Sequence, residues 1–287
     1  MRLGKKGFTL IELLVVISII GLLSAALIIV ARRGVDVANA MKCKTNLKNL
    51  GQATLNQVVL GGGFPQACSY EIVKIDASSG DAVYTESRGW VGWTGSGEWP
   101  NTDSQADQMQ KPGFCGELAY DSLTNGTFWG LAGKDATSYI CSTHKKAAET
   151  EGETDIWRSY VMNYRFVGRW YRNEDGSDFE GPRFWKLTQL TSNDRMAATV
   201  LLFAALPAND IDTSEAAGDG KVDPSNNEHI GFNHPAGKRN VAHVVYADGH
   251  VGLLLEPSGA DSQDMVDLTE QICRGDGIDQ DLINKMH

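Results

Sequence analysis

Four histidines, His229, His234, His243 and His250, fall in one stretch of the sequence, with Asp248 beside the last of them. Imidazole nitrogens and carboxylate oxygens are metal donors, so a metal site is the first chemistry to weigh. Their spacing fits no standard metal motif, and His243 and His250 fall on predicted strands either side of a turn. Structural or surface histidines are the favoured reading, and a tethered hydrolase built on them is the alternative. Asp210, Asp212, Asp219 and Asp223 offer the oxygens that calcium takes. Their Asp-x-Asp start is not followed by the glycine and glutamate of an EF-hand. The cysteines are Cys43, Cys68, Cys115, Cys141 and Cys273, none in a Cys-x-x-Cys pair, which argues against a zinc ribbon. Trp90, Trp93 and Trp99 sit among glycines. They suit sugar stacking, but packing onto the domain's own core is the favoured reading. Gly-x-Ser-x-Gly, a Walker loop, Gly-x-Gly-x-x-Gly and His-Glu-x-x-His are all missing, so no enzyme is expected.

The elements that position these groups start with an apolar run. A basic leader, Met1–Gly7, carries Arg2, Lys5 and Lys6. Phe8–Val30 follows with a single charge, Glu12. As a helix this run reaches roughly 35 Å, enough to cross a bilayer core. It is longer than the apolar core of a signal peptide and continues into more helix. The basic leader sets the N-terminus in the cytoplasm and the rest of the chain outside. An acid within an apolar helix is costly and implies a partner, which an ordinary anchor does not explain.

Lys5-Lys6-Gly7-Phe8-Thr9-Leu10-Ile11-Glu12, continued by Leu13-Leu14-Val15-Val16-Ile17, resembles the processing site of type IV pilins and type II secretion pseudopilins. The resemblance implies that a prepilin peptidase cuts between Gly7 and Phe8 and methylates the amine of Phe8. Glu12 then becomes the fifth residue of the mature chain, where this family uses a glutamate in assembly. It implies an inner-membrane precursor that packs with other subunits, through an inner-membrane assembly platform, into a filament. Cys43, Asn46-Leu47-Lys48 and Leu50-Gly51 resemble a pseudopilin-like subfamily, as do Ser138–Ser142 and Ser159–Asn163. That subfamily ends in a histidine followed by Asp-Gly-His, which His234 and Asp248-Gly249-His250 resemble across a longer gap. By the same resemblance Cys43 is expected to bond Cys141; Cys68–Cys115 is a second expected pair, and the resemblance to type II secretion pseudopilins, whose major members bind calcium in a head loop, makes Asp210, Asp212, Asp219 and Asp223 a candidate calcium set.

The 287-residue chain carries a net charge of −10, which becomes −13 once cleavage removes Arg2, Lys5 and Lys6. An acidic head argues against nucleic acid as a partner. The expected fold is α+β and pilin-like, one long N-terminal helix on an antiparallel sheet. Its parts are a leader at 1–7, a membrane or filament-core helix at 8–30, an amphipathic continuation at 31–60, and an extracytoplasmic head at 61–287. Ala38, Met41, Leu47, Leu50, Thr54 and Val58 mark the apolar stripe of the continuation. Gly34 and Gly51 are candidate bends, and Gly61-Gly62-Gly63 is the stop. Strands are predicted at Tyr70–Ile75, Ala82–Thr85 and Thr199–Leu206, and the subfamily resemblance implies a strand reaching Cys141 ahead of the Ser159–Asn163 segment. Asn240–Leu255 reads as a hairpin through Asp248-Gly249. Leu118–Leu123, Met265–Cys273 and Asp279–Lys285 read as short helices, and Lys145–Asp155 as a mobile charged insertion.

Overall fold

The structure, a computed structural model, describes residues 10–67, 70–75, 82–86, 89–92, 114–166, 184, 186–191, 197–210 and 220–286. Leu10–Gln57 forms one helix, α1, of 48 residues, about 72 Å long. The run of Leu, Ile, Val and Ala carries no proline, and the Ser18 hydroxyl donates to the Leu14 carbonyl, so its polar group needs no outside partner. A π-helical turn, Val58–Gly62, ends it at Gly63, whose φ is +70°.

The head is built on a six-stranded sheet. Its strands are β3 (Tyr160–Asn163), β4 (Leu201–Ala205), β5 (Lys221–Val222), β6 (His234–Ala236), β7 (Arg239–Tyr246) and β8 (Val251–Leu255). The order runs β5-β3-β4-β7-β6, with β8 also on β7. Only β3 with β5 is parallel; the other pairs are antiparallel. A separate two-stranded ribbon pairs β1 (Tyr70–Ile75) with β2 (Ala82–Glu86). Five α-helices complete the described residues: α2 (Gly116–Asn125), α3 (Ser142–Glu151), α4 (Leu187–Thr191), α5 (Ser262–Arg274) and α6 (Gln280–Met286).

The sheet separates two cores. On one side Leu47, Leu50 and Ala53 of α1 pack with Trp90, Phe203 and Val245. On the other, Leu268 and Ile272 of α5 and Leu282 of α6 pack with Leu201, Val244 and Leu254. The fully buried β4 is flanked by both, which is why it reads as a continuous apolar run. Val244 and Val245 alternate between the two cores, as period-two side chains must.

The α+β layout, the β7–β8 hairpin and its Asp248-Gly249 turn follow the sequence reading; Gly249 sits at φ +86°. Four local expectations change. No strand precedes Cys141: Ala136–Tyr139 is a 3-10 turn, capped by the Asp135 carboxylate accepting from the Thr137 amide. The expected mobile insertion is α3, held by the buried His144 and Ala148 and closed by Gly152 in the left-handed region. The buried stripe of α1 starts at Cys43, and Ala38 and Met41 are exposed because the helix has not yet reached the head there. Gly51 marks a close approach: a Cβ there would sit 2.8 Å from Val245 Cγ2.

Candidate functional site

Among the described residues, nothing covers the apolar half of α1. Leu10 and Ile11 are 86% and 74% exposed, and Leu13, Ile17, Leu22, Leu27 and Val30 are likewise open. The stretch is apolar and long enough to span a membrane, with none of its most apolar window buried in the protein. So large an apolar surface requires lipid or other apolar helices around it. Glu12 lies in the first turn of α1. Gly7 and Phe8, the expected cleavage and methylation positions, lie outside the described residues.

The other half of α1 is anchored by residues that recur on one helical face: Cys43, Asn46, Leu47, Leu50, Ala53 and Thr54 are all buried. Asn46 does more than fill space. Its side-chain amide donates to the Thr137 carbonyl at 3.2 Å and the Ile140 carbonyl at 3.0 Å. It thereby ties α1 to the turn that delivers Cys141. The Asn-Leu-Lys run stood out in sequence, but the partner of Asn46 lies about ninety positions away and left no local signal.

Cys43 and Cys141 are brought together as free thiols, side by side and hydrogen-bonded to one another. The bond from Cys43 holds the Cys141 thiol pKa well down; that same contact and burial push Cys43 well up. Cys115 Sγ lies 3.0 Å from the Glu153 carboxylate, to which it donates. Its expected partner, Cys68, lies outside the described residues. Cys273 is a buried free thiol.

The four histidines separate into different roles. His229 Nε2 is 3.3 Å from the Asp210 carboxylate. His250 sits on the Asp248 carboxylate at 2.6 Å and stacks on Tyr246, half-exposed at the hairpin tip. His234 and His243 come together with ring centroids 5.3 Å apart, and one donor atom from each lies within 4.8 Å of the other and of Cys43 Sγ. Cys141 Sγ lies 3.6 Å from His234 Nε2. Burial pushes His243 down to about 4, with His234 adding to the effect, so its ring is neutral at physiological pH. This group of two cysteines and two histidines was not visible as a set in the sequence.

Of the expected calcium set, Asp212 and Asp219 lie outside the described residues. Asp210 faces His229, whereas Asp223 caps a 3-10 turn by accepting from the Ser225 amide and hydroxyl and pairs with Lys221 at 3.4 Å. Trp90 is a core residue, its indole N–H donating to the Gly220 carbonyl at 2.9 Å and its ring set edge-on against Phe203. Trp93 and Trp99 lie outside the described residues.

Residues 2–28 match the family described as the prokaryotic N-terminal methylation motif. Among curated proteins and among solved structures, none matches the chain. The family match ends at residue 28 and does not reach His234 or Asp248–His250. That motif runs into a long apolar helix seated on an α+β head, an arrangement similar to that of type IV pilin-like proteins.

Proposed function

We propose that the chain is a structural subunit of a filament of the type II secretion or type IV pilus kind. A prepilin peptidase cleaves after Gly7 and methylates Phe8, and the mature subunit joins others through the inner-membrane assembly platform. The observation that carries this reading is the methylation motif at residues 2–28 continuing into an apolar helix that the head leaves uncovered. In the membrane lipid covers that helix; in the filament neighbouring helices replace lipid while the heads form the outer layer. The work of such a subunit is assembly, and none of its side chains needs to make or break a covalent bond.

Glu12 supplies the polar specificity of this packing. The cationic amine of Phe8, methylated but still charged, is its counter-ion on the same or the neighbouring subunit. Apolar helices alone can slide along one another, and one buried ion pair fixes an axial register. The test is co-expression with a prepilin peptidase and a complete assembly platform, followed by shearing and electron microscopy. Sheared fibres that contain this chain are the expected result. A chain that is cleaved but stays wholly monomeric in the membrane would contradict the reading.

A further inference from the structure

We infer that Cys43, Cys141, His234 and His243 form a buried site for a divalent transition metal, zinc before others, that clamps the filament helix to the head. The donor set comes first. Two thiols and two imidazoles are what structural zinc takes, and oxygen-seeking ions such as calcium or magnesium have no reason to enter. The spacing agrees. With zinc–sulfur near 2.3 Å and zinc–nitrogen near 2.05 Å, a tetrahedral site sets sulfur and nitrogen about 3.6 Å apart. Cys141 Sγ and His234 Nε2 stand at 3.6 Å. The donor atoms of Cys43, His234 and His243 all fall within 4.8 Å of one another, close enough to converge on one ion with small side-chain rotations. Cys141 joins them through its contacts to Cys43 and His234.

The surroundings point the same way. Cys43, Cys141, His234 and His243 are 1%, 0%, 1% and 8% exposed. His243 Nδ1 is buried and finds no hydrogen-bond partner among the described residues. A buried polar nitrogen without a partner is costly, and a metal–ligand bond removes that cost. Thr143 Oγ1 lies 3.4 Å from His234 Nδ1, positioned to fix the ring so that Nε2 faces the sulfurs, as ligating histidines usually require. Charge closes the argument. When Zn²⁺ enters, both thiols release their protons to solvent, and the dication, two thiolates and two neutral imidazoles sum to zero. A neutral site is the kind that a dry core tolerates.

The ligands come from four places that the fold has already fixed. Cys43 begins the buried face of α1, and Cys141 is the N-cap of α3. His234 opens β6, where it pairs with Val241 of β7. His243 is two residues beyond Val241 and two before Val245, on the β7 face that meets Gly51 of α1. A metal here joins helix, turn and sheet at the point where the helix leaves the head. The same two sulfurs, if oxidised, would instead give the Cys43–Cys141 disulfide, with loss of two protons and two electrons to an oxidant. The two uses exclude each other, so one experiment separates them.

Full-length protein is extracted from membranes in detergent without chelator and its metals are counted by mass spectrometry. About one zinc per chain is expected. Replacing it with Co²⁺ should give the intense visible bands of a tetrahedral site and a thiolate-to-cobalt charge-transfer band. Cys43→Ser and His243→Ala should each lower zinc content at least tenfold, while Cys115→Ala keeps it. Should those variants fail to fold, the wild-type protein still decides. After chelation under reducing conditions it should rebind one equivalent of Zn²⁺ and melt at a higher temperature for it. Wild-type protein that contains a Cys43–Cys141 disulfide, or that is reduced and takes up neither Zn²⁺ nor Co²⁺, would overturn the inference.

Discussion

At the residue scale, Glu12 and Gly249 carry opposite kinds of constraint. Glu12 faces a chemical one. A carboxylate near the membrane edge costs a few kcal/mol on insertion scales, which a monomer with interfacial water within reach can sustain. Within a filament that water is replaced by apolar side chains, and the acid must meet a cation. Glu12→Ala is therefore expected to insert and to be cleaved after Gly7 as usual, but to give few or no fibres when no wild-type subunit is present. Wild-type numbers of fibres from the variant would refute this. Gly249 faces a steric constraint: φ is +86°, and a Cβ there would sit 2.5 Å from Leu55 Cδ1 of α1. Gly249→Val should destabilise the head by about 2 kcal/mol or more, read as a lower melting temperature. His250→Ala should cost much less, because its ring and its Asp248 partner are half-exposed. The turn was legible from Asp-Gly between two apolar runs. The added reason for the glycine, the approach of α1, was not, because Leu55 lies on a distant element.

At the element scale, α5 is bonded to the end of β3 through charge. The Arg165 guanidinium donates to Glu270 at 2.8 Å and the Tyr164 hydroxyl donates to it at 2.7 Å, with Arg274 also in contact. Burial works against the ionised Glu270, but the bonds from Tyr164, Arg165 and Arg274 outweigh it and lower its pKa. A carboxylate with a depressed pKa adds stability that is present above its unfolded value, near 4.5, and is lost as the pH falls through the folded value. Wild-type head should accordingly melt at lower temperature below about pH 4. Glu270→Gln should cost about 1–2 kcal/mol at neutral pH and flatten that acid dependence. An unchanged acid profile in the variant would assign the dependence to other groups. The elements themselves were largely readable: α1, α5, α6, β4 and the β7–β8 hairpin follow from periodicity and turn chemistry. The strand expected before Cys141 followed the subfamily resemblance, whereas the expectation of a mobile segment at α3 took charge for exposure. His144 and Ala148 anchor α3 from within a sequence of lysines and glutamates, and the Asp135 cap turned an expected strand into a 3-10 turn. The metal-type cluster was illegible for a related reason. Its four members span positions 43 to 243 without a short motif, and only the seating of α1 and the β6–β7 register bring them together.

At the scale of the whole molecule, α1 has two jobs divided near residue 40. Its first part is uncovered apolar surface, and its second part, from Cys43, is core. Shortened chains should separate the two. Residues 38–287 keep every buried side chain of α1 and should be soluble without detergent, with a cooperative melt. Residues 55–287 lose Cys43, Leu47, Leu50 and Ala53 from the core and should not fold, since each large aliphatic lost there costs about 2–5 kcal/mol. A well-folded 55–287 fragment would show that α1 is an appendage and not part of the head. Division of labour along one helix is what a filament subunit needs: the core-forming half fixes the head's orientation, and the exposed half is free to exchange lipid for neighbouring subunits. That exchange depends on a mature N-terminus, and its mass is the most direct test of the account. The N-terminal peptide of membrane-extracted protein, from cells with an active prepilin peptidase, is predicted to begin at Phe8 and to carry one methyl group on its amine. A peptide that begins at Met1, or one produced by a cut after Ala25 or Ala26, would contradict it.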